Sequence, residues 1–98
     1  MTAPQEVSVG EDDRVRLAPG VMLRQDRVRN HWQLLGPERV LVLDDIALEV
    51  VRATTGQPVT VREAIDALAA QFDAPRAEIA ADVREVLADM IAKGFLTR

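Results

Sequence analysis

A chain of 98 residues makes one domain, near the lower limit of what folds without covalent or metal staples. No Cys and a single His exclude disulfides, thiolate metal sites, Fe–S clusters, a Cys nucleophile and His-rich metal binding, while 48% hydrophobic residues allow a compact core. The net charge of −4 is unevenly spread: residues 1–13 carry only acids, residues 14–39 carry six Arg against Asp26 and Glu38, and the remainder is acidic again.

The N-terminus has neither a basic nor an apolar signal region. The apolar run Val40 to Leu43 is far too short to cross a bilayer. A cytoplasmic protein without membrane contact is therefore expected. Residues 1–14, with four acids, a Pro, a Gly and little periodicity, read as a flexible tail, and residues 15–98 as the folded domain.

Three strand-like runs come first. Val21–Gln25 follows the turn pair Pro19-Gly20, His31–Leu35 ends at Gly36-Pro37, and Arg39–Leu43 has β-branched residues at 40 and 42. The spacer 26–30 suits a hairpin connection, and Pro37, which cannot donate to a ladder, belongs in the second turn.

Three helices follow. Asp44 or Asp45 caps the first, which runs to about Thr54 and stops at Gly56. Thr60 and Glu63 form a capping box that opens the second, with Ile65, Leu68 and Phe72 on one face. The third runs from about Pro75 to Lys93 and stops at Gly94, after which Phe95 and Leu96 return to the core. Strands before helices predict an α+β domain, a three-stranded antiparallel sheet followed by three helices, in winged helix-turn-helix-like outline.

On a helical wheel, the apolar residues of the third helix, from Val86 through Ile79, Met90, Val83, Leu87 and Ala80 to Ile91, span about 140°, against about 100° for an ordinary surface helix. The excess lies on the flank Ala80, Leu87 and Ile91, edged by Arg84. Either this flank meets another helix, or it forms one wall of a binding groove.

Residues for catalysis are missing. The only Ser is Ser8, the five Gly are scattered, the acidic pairs Asp12-Asp13 and Asp44-Asp45 suit surface and capping roles, and His31 beside Trp32 has no partner base. No enzyme, metal or cofactor is expected. A DNA-binding regulator is the alternative suggested by the helix-turn-helix outline and the Arg cluster. The third helix opposes it, since Glu78, Asp82, Glu85 and Asp89 would repel phosphate. Peptide binding is easier to build: the third strand is a sheet edge, open to pairing with an extended chain.

The segments Arg24-Gln25-Asp26-Arg27-Val28-Arg29, Leu34-Leu35-Gly36-Pro37-Glu38-Arg39-Val40-Leu41, Asp82-Val83 and Lys93-Gly94-Phe95-Leu96, with the helix stop at Gly56, resemble the PqqD family of pyrroloquinoline quinone biosynthesis. The match runs from about residue 15 to the end. Asn30 stands where the family often has Gly, and Asn also tolerates a left-handed turn. The resemblance implies a RiPP recognition element, a peptide chaperone that holds the precursor peptide PqqA and presents it to the radical S-adenosylmethionine enzyme PqqE. It implies strand addition along Arg39, Val40, Leu41 and Val42. On the helix side, the wide arc selects Ala80, Arg84, Leu87 and Ile91. Arg24, Arg27 and Arg29 are candidates for docking an acidic partner surface; a solvated hairpin is the other reading of the same residues.

Overall fold

The computed structural model describes residues 7–98. The chain forms β1 (Arg16–Leu17), β2 (Met22–Asp26), β3 (His31–Gly36), β4 (Arg39–Leu43), α1 (Asp45–Thr55), α2 (Val61–Phe72), α3 (Arg76–Ala92) and β5 (Leu96–Thr97). Strands β2, β3 and β4 make an antiparallel meander with β3 in the centre, and the three helices follow in the expected order.

Local chemistry accounts for each turn. The Asp26 carboxylate accepts from the backbone N–H of Val28 and Arg29 and so closes the β2–β3 loop, which ends on Asn30 at φ 56°. Pro37 and Glu38 make a two-residue turn with Gly36 opposite Arg39. Asp44 caps α1 by accepting from the Ala47 N–H at 2.7 Å, and the Thr60–Glu63 capping box opens α2. Gly56 closes α1 over the Arg52 carbonyl, where a Cβ would lie 2.7 Å from that oxygen. Helix α3 ends before Gly94 at φ 82°.

The core lies between the sheet and the helices. Leu34, Val51, Val61, Ile65, Val83, Leu87 and Leu96 are its most buried side chains. Thr54 is buried among them, its hydroxyl satisfied by the Val50 carbonyl at 2.8 Å. The Arg52 guanidinium over the Trp32 ring, at 4.4 Å, ties α1 to the sheet.

Two features differ from the sequence reading. Residues 96–97 do more than return to the core: they pair with 16–17 as a second, two-stranded antiparallel sheet. A two-residue strand carries no periodicity, so only its partner reveals it. The second correction concerns the tail. Residues 1–6 lie outside the described part, but residues 7–14 are packed against the domain. Val9 is buried, as is Val15 beside the segment. The backbone carbonyls of Asp13 and Glu11 accept from Val61 and Arg62, two of the first N–H groups of α2, at 2.8 Å each. Those helix donors need partners from outside the helix, and this segment supplies them. Its polar composition hid a capping role exerted about 50 positions away in sequence.

Candidate functional site

Strand β4 is an outer edge of the meander. In a two-residue hairpin the residues flanking the turn exchange both backbone bonds, and alternate pairs then do so along the ladder. Gly36–Arg39, Leu34–Leu41 and Trp32–Leu43 are therefore the bonded pairs, and Leu35–Val40 and Gln33–Val42 are not. The N–H and C=O of Val40 and Val42 consequently point away from the sheet, along its open edge. Their side chains are 59% and 56% exposed, while Leu43 is buried and Leu41 half-buried on the face toward the helices.

Beside this edge lies α3. A cavity of about 350 Å³ separates them, lined by Leu41, Val42 and Leu43 of β4, by Asp44, Ile46 and Ala47 at the start of α1, and by Asp82, Glu85, Val86, Asp89 and Met90 of α3. Of the expected residues, Leu41 and Val42 line this cavity, and Val40 lies on the open edge beside it. The other expected residues do not line the cavity. Ala80 and Leu87 are 3% and 0% exposed within the core, and Ile91 packs against that core. Arg84 reaches Glu11, 2.8 Å away, which places the 7–14 segment along this flank. The excess apolar arc is real, but the core covers it, and only the edging Arg84 meets the supposed tail. The groove wall is the opposite margin of the arc, Val86 with its neighbouring carboxylates. Val86 was visible as the edge of the apolar arc; Asp82, Glu85 and Asp89 read as an ordinary solvated face.

Arg39 is also turned elsewhere. Its guanidinium stacks on the Phe95 ring at 4.3 Å and donates to the Lys93 carbonyl at the C-terminus of α3. A cation at that end of a helix satisfies a carbonyl and opposes the dipole, so Arg39 ties the sheet to α3. Arg24, Arg27 and Arg29 are exposed on β2 and its loop, at the edge of the sheet opposite β4. His31 binds Gln33, with 3.0 Å between Nε2 and Oε1, and has no nucleophile beside it.

The carboxylates with lowered pKa lie outside the groove. The Arg76 guanidinium, with help from Arg84 and Arg62, holds the Glu11 carboxyl below its usual range. The Gly10 N–H, then Arg98, does the same for Asp13. Among the described residues no group of three His, Asp or Glu comes together as a metal site, and no helix is long and apolar enough to cross a membrane.

The geometry has known counterparts. The family model for coenzyme PQQ synthesis protein D (PqqD) matches residues 31–96. A PqqA binding protein of Rhodopseudomonas palustris (strain HaA2) is 45% identical over 95 residues, covering 97% of this chain and 92% of that one. A PqqA binding protein of Xanthomonas axonopodis pv. citri is 44% identical, covering 90% and 95%. The solution structure of the PqqD truncation of Methylobacterium extorquens PqqCD, described as a functional, stand-alone RiPP recognition element, superposes with a TM-score of 0.79. It shares 38% identity and covers 93% of this chain and 96% of that one. The crystal structure of PqqD from Xanthomonas campestris gives 0.57 at 40% identity, covering 93% and 100%. With its sheet, its three helices and two thirds of its length matched, this chain belongs to the PqqD family.

Proposed function

We propose that this chain is a non-catalytic peptide chaperone of pyrroloquinoline quinone biosynthesis. It binds PqqA as an added strand on β4 and presents it to the radical enzyme PqqE in the cytoplasm. The open edge carries this reading: Val40 and Val42 offer unpaired backbone groups beside a cavity that can accept side chains from an extended peptide. Relatives of similar length are named for PqqA binding, which supports the choice of peptide. The absence of any catalytic constellation among the described residues fits a protein that holds a substrate for another enzyme.

The alternation along β4 makes the test selective. Val42→Pro removes an outward N–H and leaves the bonds between β4 and β3 intact. The folded variant should bind PqqA about tenfold or more weakly, because the lost main-chain bond leaves a peptide carbonyl unpaired. Unchanged affinity would contradict strand addition.

A further inference from the structure

The cavity beside β4 continues past the end of the strand. A second cavity, about 450 Å³, opens between α1, α2 and α3, and the two share Ile46 and Asp82. Its floor is core: Val50, Leu68 and Val83 are all buried. Its walls include Ile46 and Phe72, which are 61% and 51% exposed. Single exposed apolar residues are common, but two of them flanking a hollow floored by core mark a place built to be covered.

Charge narrows what covers it. Asp45, Glu49 and Asp82 line this cavity, Asp44, Glu85 and Asp89 line the first, and no Lys or Arg lines either. The ion pairs of the described residues include Asp89 with Lys93 but leave Asp45, Asp82 and Glu85 without a cation. The nearby Arg62, Arg76 and Arg84 all converge on Glu11. An acidic occupant would meet like charge on every side, whereas Lys or Arg would find carboxylates waiting.

We propose that this second cavity is an anchoring subsite of the same peptide. The bound chain, on leaving the β4 edge, places a bulky apolar side chain between Ile46 and Phe72, with Lys or Arg beside it facing Asp45 and Asp82. The inference rests on the strand-addition reading and deepens it. Pairing along β4 makes little demand on sequence, since it uses main-chain groups; the subsite supplies the selectivity that the edge lacks.

The probe is fluorescein-labelled PqqA of Rhodopseudomonas palustris, titrated against the full chain by anisotropy. Phe72→Ala should weaken binding about tenfold, as expected for losing much of one apolar anchor, and Phe72→Leu should recover most of it. Asp45→Asn with Asp82→Asn should weaken binding several-fold at low salt, and the difference should fade as ionic strength rises. The same peptide with every Lys and Arg replaced by Gln should show no such difference. If these variants bind as wild type while Val42→Pro is weakened, the subsite is wrong and strand addition stands. If Val42→Pro binds as wild type, strand addition itself fails. If Phe72→Ala leaves peptide affinity unchanged but dissociates a dimer in sedimentation, the hollow belongs to a second copy and the proposal is overturned.

Discussion

The Glu11 carboxylate meets three guanidinium groups, those of Arg62, Arg76 and Arg84, and so joins the N-terminal segment to α2 and α3. Its pKa is depressed below the ordinary 4.5, chiefly by the Arg76 hydrogen bond. Between the folded and the ordinary value, the unfolded chain binds the extra proton. The stability Glu11 contributes is therefore complete above the ordinary value and is lost as pH falls through the folded one. Glu11→Gln should lower Tm at pH 7, and the gap to wild type should shrink as the pH is taken below about 4.5. A gap that does not shrink at all as the pH falls would mean that Glu11 acts by shape rather than charge. Arg39, a positive side chain on an open edge strand, looks like a ligand contact, yet it caps a helix 54 residues away.

Among the elements, α3 separates two roles on adjoining faces. Leu87 faces the core and Val86 faces the groove. Leu87→Ala should cost about 2–5 kcal/mol in urea unfolding, whereas Val86→Ala should cost less stability and weaken PqqA binding. Equal effects of the two on peptide affinity would contradict this division. The sequence made the three strands of the meander, the capping box and the helix stops legible because each depends on neighbours within a few positions. Asn30, Pro37, Thr60 and Gly94 all behave as their chemistry requires. The open edge at Val40 and Val42 was legible for the same reason, since strand order followed from the short turns. The groove face of α3 was not. Which flank of a wide apolar arc is covered depends on tertiary packing, which the spacing along one helix does not carry.

Across the whole molecule, charge is segregated. The β2 edge and its loop carry exposed Arg24, Arg27 and Arg29, while the trough beside β4 and α3 is lined by carboxylates. Opposite edges of one sheet thus present opposite signs, which suits a chaperone that holds a peptide on one side and meets an enzyme with the other. Reversing Arg24 and Arg27 to Glu should weaken PqqE capture severalfold at low salt and leave PqqA affinity unchanged. Equal losses for both partners would place them on one surface. Pairing of PqqA along β4 would leave its mark in amide hydrogen exchange measured with and without the peptide. The N–H groups of Val40 and Val42 face outward and should exchange quickly in the free protein, then become protected when PqqA binds. Leu41, already bonded to β3, should change much less. Protection confined to residues 24–29, with Val40 and Val42 exchanging as before, would rule out pairing along β4.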